Sequence, residues 1–429
     1  MARGRRSPHL WRRLRKGLDL DRQRAELEGR SHRVPRLRQA LRWPPFGFGR
    51  PYWVDDDDFR IERHVEVVSG AGGDREHLLA VTEEVLACRF DYRYPPWKLV
   101  FVDGLDGGDI GLVVVLDHVL ADGLGGIAVM TALLDPGPAG AMPGEPAPPP
   151  SLVDVALDRV MRWWKTVLRG LQLLARPVST VRSWRQAWDV LLAGGSSAMT
   201  SLNPPTGFSR RLVAVEADLE EFHAMARSAG GTINDGVSTA VATGLERLQA
   251  ARGETPDVLY ASIPVALRQG GSANELGNRV TGMRVPLRMG PGTLTSRIKQ
   301  IAGFTRLHKA YRLDPAAVGL FGALRDLFGS SVGRWYIERQ RLINVFVTNM
   351  VGPSGPLRML GAEVLDIVPV APISGNVPIA IGVLSYAGTL TVAVNADPEA
   401  VPDLDTFVAG LRHAMPERKA EQPAGVVAG

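Results

Sequence analysis

Apolar positions along this chain follow two periods. Ile110–Leu116 is a short continuous apolar run, the pattern of a strand buried on both faces. "PPWKLVFVDGL" reads as a loop leading into a strand, and the end of "PYWVDDDDFRIERHVEV" alternates as a strand does. In "GDREHLLAVTEEVLACRF" the spacing turns helical, with Leu78, Leu79, Val81, Val85 and Leu86 on one face. Gly123–Leu134 predicts a helix with a small-residue start, and 151–193 predicts helices broken at Pro177. Further on, "DLEEFHAMARSAGG" predicts a helix closed by Gly230 and Gly231. "TINDGVSTAVATGLERLQA" predicts another, capped by Thr232 or Asn234. "VLYASIPVAL" is a strand; "NVFVTNMVGP", "VPIAIGVLSYAGTLTVAVNAD" and a helix near 402–414 complete the chain. Strands alternating with helices in both halves predict an α/β layered fold, with no obvious internal repeat.

A chain of 429 residues is too long for one compact core, so two domains are expected. The break falls in "DPGPAGAMPGEPAPPP", residues 135–150, whose Pro/Gly/Ala composition suits a linker. The expected organisation is a basic, disordered arm (1–32), a first domain (33–135), the Pro-rich linker with Trp-rich crossover helices (136–204), a second domain (205–415) and a tail (416–429). No segment is long and apolar enough to span a bilayer, because Asp117, His118 and Asp122 interrupt the best candidate, 110–134. The basic N-terminus lacks the apolar stretch of a signal peptide, so a cytoplasmic protein is expected, free or peripheral to a membrane. The single cysteine, Cys88, excludes an intramolecular disulfide and reads as buried filler.

Charge changes this picture at one end. Residues 1–50 hold 15 Lys/Arg against 4 Asp/Glu, whereas the remainder holds 35 against 41. The arm is either a solvated leader or a segment attracted to an anionic membrane surface. The acidic body and the absence of nucleic-acid motifs argue against a nucleic-acid partner. Residues 151–193 combine Trp163, Trp164, Trp184 and Trp188 with Arg159, Arg162, Lys165, Arg169, Arg182 and Arg185. That suits a membrane interface, or a helix packed across two domains with a solvated basic face.

Candidate chemistry concentrates in "GLVVVLDHVLADGLGG", residues 111–126. Three titratable groups follow directly on an apolar strand, which is costly unless they are used. Of the eight histidines, only His118 lies at a strand-to-loop junction just before a helix, where α/β proteins often place chemistry. A histidine is also the usual general base near neutral pH. By position alone a buried structural histidine remains the competing reading. In His-x-x-x-Asp-Gly the aspartate turns away to pin the loop, and Gly123 lets the backbone bend sharply. There is no dinucleotide fingerprint, Walker motif or zinc spacing, and "DGLGG" lacks the Lys-Ser/Thr of a phosphate loop. No metal and no cofactor are expected.

"DHVLADG" resembles the HHxxxDG motif of the wax ester synthase/diacylglycerol acyltransferase family. Four further blocks are similar to that family in order and spacing: "PYWVDDDDFRIERHV", "PPWKLVFVDGL", "TINDGVSTAVATGL", and "SIPVALR" followed by "LGNRV". So is "VTNMVGPSGPLRMLGAEVLDIVPV". Together they cover roughly residues 33–415. The resemblance implies a two-domain α/β sandwich of the coenzyme A-dependent, chloramphenicol-acetyltransferase-like kind. It implies His118 as catalytic base, Asp122 and Gly123 as structural motif residues, and Asn234 and Asp235 as support from the second domain. Arg268 matches the arginine of the Ser-x-Pro-x-x-x-Arg block, and an Asp122–Arg268 pair is the accompanying expectation.

The implied activity is transfer of a long-chain acyl group from acyl-CoA to diacylglycerol or a long-chain alcohol, with acyl-CoA as substrate. Contact with a membrane or lipid-droplet surface would suit those acceptors. Two departures stand out. Asp117 replaces the first motif histidine, and a carboxylate does a histidine's work only if its pKa is greatly raised. The basic arm stands where the family has an early strand. The alternatives are acyl transfer to another hydroxyl or an amine on the same fold, or an inactive lipid-binding member.

Overall fold

The computed structural model describes residues 6–15, 20–43, 51–70, 72–117, 119–120, 200–266, 280–310 and 340–416, with scattered positions between 129 and 198 and at 338. Among these residues the strands build two six-stranded sheets and a separate two-stranded hairpin. The first sheet contains β1 (Arg6–Arg15), β4 (Val65–Ser69), β5 (Trp97–Asp103), β6 (Asp109–Asp117), β11 (Arg358–Met359) and β12 (Ala362–Val368). Their spatial order is β11-β12-β1-β6-β5-β4. The hairpin is β2 (Gln39–Arg42) with β3 (Tyr52–Asp55). All nine residues of β6 are buried, as the apolar run predicts. The strand is antiparallel to β1 on one side and to β5 on the other.

The second sheet orders its strands β7-β14-β13-β10-β8-β9. These are β7 (Arg211–Asp218), β8 (Val258–Ala266), β9 (Val280–Arg288), β10 (Val345–Val351), β13 (Ile379–Tyr386) and β14 (Thr389–Ala396). The α-helices described over their full length are α1 (Leu20–Ser31), α2 (Arg75–Ala87), α3 (Leu219–Ser228), α4 (Ile233–Ala251), α5 (Leu294–Ala310) and α6 (Leu404–His413), with α1 and α5 as additions to the sequence reading. Asp74 caps α2 by accepting from the N–H groups of Glu76 and His77, and Asp218 caps α3. Of the two caps considered for α4, Thr232 is the one used. Each such cap stabilises by about 1 kcal/mol.

Three expectations need correction. Arg6–Arg15 is no disordered arm: it is a strand in the middle of the first sheet, paired with β6 and β12, and α1 follows it. Its main-chain N–H and C=O groups find partners on both sides, which outweighs the unpromising charge pattern. The early strand is therefore present in the basic segment itself. Cys88 is exposed rather than buried, because it follows the last turn of α2 at the surface. The division at the linker also fails to separate the sheets, since β11 and β12 come from the second half of the chain and complete the first sheet.

That crossing is tight. A Cβ on Gly382 of β13 would stand 2.2 Å from the carbonyl oxygen of Pro369, so only glycine lets the chain leaving β12 pass there. Tyr386, also on β13 and buried, bonds both ends of the β11–β12 hairpin. Its hydroxyl donates to the carbonyl of Val364 (2.7 Å) and accepts from the N–H of Leu357 (2.8 Å). Arg30, from α1, ties down the segment after the motif. Its guanidinium donates to the Leu133 carbonyl and to the Asp135 carboxylate. The other Asp135 oxygen accepts from the N–H of Gly361 (2.6 Å). Helix α2 also joins the two sheets. Leu78, Leu79 and Leu86 pack with Val100, Val113 and Val115 of the first sheet and with Leu212 and Ala393 of the second. Glu83 accepts from the N–H of Leu212 (2.6 Å), and Arg75 pairs with Glu216.

Candidate active site

The buried strand β6 ends at Asp117, whose side chain is almost fully enclosed, at 1% exposure. Burying a carboxylate requires donors, and Asp117 has them. Oδ1 accepts from the N–H of Val119 (2.8 Å) and Oδ2 from the Tyr92 hydroxyl (2.8 Å). The Asp117 N–H donates to the Pro96 carbonyl, and its carbonyl accepts from the N–H of Leu120, both at 2.9 Å. Asp117 is thus a bracket for the main chain, which answers what an aspartate does in the place of a motif histidine. His118, Asp122, Gly123 and Arg268 lie outside the described residues, and so does the Asp122–Arg268 pair.

One residue beside this strand end escaped sequence reasoning. His64 is 2% exposed and stands between Phe59 and Trp97 in a three-ring stack, with centroids 5.1 and 4.5 Å away. Trp97 pairs in register with Leu116, the neighbour of Asp117. His64 Nδ1 lies 3.0 Å from the Trp97 carbonyl, so Nδ1 carries the proton and donates. Nε2 is then the acceptor, buried and without a protein partner among the described residues. Burial pushes the His64 pKa below its ordinary value of 6.5, and the bond to Trp97 only partly opposes this. Trp97 Nε1 donates to the Leu37 carbonyl (2.7 Å), and the Arg38 guanidinium lies over the Phe59 ring at 4.1 Å. The signal was available: His64 and Trp97 belong to two of the blocks that carry the family resemblance.

In the second half, Asn234 and Asp235 open α4 but do different work. Asp235 is 2% exposed and spent on structure. Its Oδ2 accepts from the N–H and hydroxyl of Thr232 in a capping box (2.8 and 2.7 Å). Its Oδ1 accepts from the Thr305 hydroxyl of α5 (2.9 Å). Asn234 accepts from the side-chain amide of Asn349 on β10. The structure thereby joins two blocks, "TINDG" and "VTNMVGP", more than a hundred residues apart. Asp117 sits at the end of a first-sheet strand and Asn234 at the first turn of a second-half helix, so the described candidate residues come from both halves. Among the described residues, no group of three or more His, Cys, Asp or Glu is placed to hold a metal ion.

Comparison with known proteins places these features. The sequence profile of the wax ester synthase/diacylglycerol acyltransferase catalytic domain matches residues 7–237, and that of the family's C-terminal domain matches 276–418. A Mycobacterium tuberculosis relative, named a probable diacylglycerol O-acyltransferase, is 27% identical over 403 residues, covering 91% of this chain and 86% of its own. Among solved structures, the wax ester synthase/diacylglycerol acyltransferase from Marinobacter aquaeolei superposes with a TM-score of 0.64 at 19% identity, covering 96% of this chain and 93% of that one. The first condensation domain of the calcium-dependent antibiotic synthetase superposes at 0.58 and 16% identity, covering 96% and 91%. These two share the α/β fold of two halves. The catalytic-domain match begins within β1, in agreement with a structured basic segment. The chain is an acyltransferase and belongs to the wax ester synthase/diacylglycerol acyltransferase family.

Proposed function

We propose that this acyltransferase moves a long-chain acyl group from acyl-CoA to the free hydroxyl of diacylglycerol, with His118 as general base. The observation that carries the reading is the motif's setting. The motif opens on Asp117, the last residue of a fully buried strand, and this residue before the histidine is a bonded carboxylate that braces the turn. Asp117 therefore need not act as a base, and its departure from the family motif leaves the base role at His118 intact.

In this mechanism His118 takes the proton from the acceptor hydroxyl. The oxygen attacks the thioester carbonyl, and N–H or O–H donors stabilise the tetrahedral oxyanion. The C–S bond then breaks, the thiolate takes the proton back from His118, and ester and free CoA leave. Both substrates react in one complex, so no acyl-enzyme and no further cofactor are required. A long-chain alcohol presents the same hydroxyl and is the second acceptor, giving a wax ester.

Both acceptors are insoluble, which favours work at a lipid surface on the cytoplasmic side. No helix among the described residues is long and apolar enough to cross a membrane. Val153, Leu157, Val160, Met161, Trp164 and Leu168 are each more than half exposed, although their spacing puts them on one helical face. Such a stripe supports peripheral contact with a bilayer or lipid droplet.

Acceptor profiling tests the activity. Purified protein given palmitoyl-CoA should release CoA when diacylglycerol is supplied, more slowly with a long-chain alcohol, and at background rate with neither. Turnover with an amine alone would replace this reading with acyl transfer to nitrogen on the same fold. Silence with every acceptor would leave a lipid-binding member that has lost catalysis.

A further inference from the structure

The loop between α2 and β5 carries Tyr92, a residue no motif includes. It is held from two sides. The Tyr92 ring stands edge-on to Trp43, with centroids 5.3 Å apart and planes at 76°. The Arg42 guanidinium of β2 donates to the carbonyls of Tyr92 (3.3 Å) and Arg93 (3.1 Å). From this fixed position the Tyr92 hydroxyl donates to Asp117 Oδ2, while Oδ1 of the same carboxylate accepts from Val119 N–H. The carbonyl of Asp117 accepts from Leu120 N–H. One carboxylate thus ties the chain on both sides of position 118, and Tyr92 ties that carboxylate.

We propose that Tyr92 is a positioning residue for acyl transfer, acting through Asp117 to fix the main chain that carries His118. This rests on the reading of His118 as base. It also accounts for the aspartate chemically. A carboxylate has two oxygens and accepts from Val119 N–H and the Tyr92 hydroxyl at once. A neutral imidazole has a single acceptor nitrogen and could serve only one of them. Tyr92 and Asp117 therefore form a matched pair, with the tyrosine hydroxyl supplying the donor that makes an aspartate workable at this position.

The distinguishing feature of positioning is a loss in kcat without a loss in substrate binding. Tyr92→Phe keeps the ring against Trp43 and removes only the hydroxyl. Losing one hydrogen bond to a charged acceptor predicts that kcat falls roughly tenfold or more. KM for palmitoyl-CoA and the melting temperature should stay close to wild type. Asp117→Asn should also lower kcat, and the double variant should lose little more than the worse single, because both act through one contact. Asp117→His should not raise kcat while Tyr92 is present. Wild-type turnover left within twofold by Tyr92→Phe would overturn the proposal alone, as would losses that simply multiply in the double variant. A wild-type enzyme without turnover on any acceptor would overturn it together with the proposed function.

Discussion

His64 shows what a buried titratable group does to stability. Its ring lies between Phe59 and Trp97 with one nitrogen bonded to a carbonyl, and burial holds its pKa below 6.5. The unfolded chain binds a proton near pH 6.5 that the folded chain resists. The contribution of His64 to stability is therefore complete above about pH 6.5 and is lost as the pH falls through the lower, folded pKa. Thermal melting between pH 8 and pH 5 should show wild type losing stability across this window. His64→Gln should be less stable at pH 8 by about 1–3 kcal/mol, through the lost stacking and the bond to Trp97. Its deficit should shrink toward pH 5. A difference that stays constant with pH would mean that His64 does not titrate on unfolding in this range. At this scale position is legible in the sequence and environment is not. Asp117 and His118 stand out because polar groups interrupt an apolar strand, a purely local signal. One partner of Asp117 is Tyr92, 25 residues away, and His64 meets Trp97 across 33. No local pattern encodes either contact.

Elements whose side chains carry a clear period were legible: β6, α2, α4 and the β13–β14 hairpin lie where apolar spacing puts them. β1 was not, because Arg6–Arg15 holds too much charge to look like an inner strand, and its place comes from main-chain pairing with β6 and β12. The Trp-rich segment raised two possibilities. At the described positions Val153, Leu157, Val160, Met161, Trp164 and Leu168 are exposed, and the proposed lipid contact makes a testable demand of this face. Leu157→Asp with Trp164→Asp should markedly weaken co-sedimentation with phosphatidylglycerol-containing vesicles, while turnover of a soluble, short alcohol acceptor is unchanged. Equal sedimentation of the variant and wild type would remove the helix from the contact surface.

At the scale of the whole molecule, the two halves are interlocked rather than strung together. β11 and β12 leave the second half, pass Gly382 and complete the first sheet beside β1. Tyr386 fastens that hairpin, and α2 joins the two sheets through Glu83 and Arg75. Neither the linker composition nor any periodic pattern reveals such an exchange, since it depends on pairing between strands more than two hundred residues apart. The family blocks come from both halves, and the resemblance captured their order without the contacts that unite them. The functional claim also belongs to the whole molecule, because an acyl donor and an acceptor must meet over one base. The most direct test is single-turnover transfer of a radiolabelled acyl group from palmitoyl-CoA to diacylglycerol by wild type and by His118→Ala. The account predicts labelled triacylglycerol with wild type and a loss of about a hundredfold or more in rate with the variant, at equal melting temperature. Full transfer by His118→Ala would contradict it.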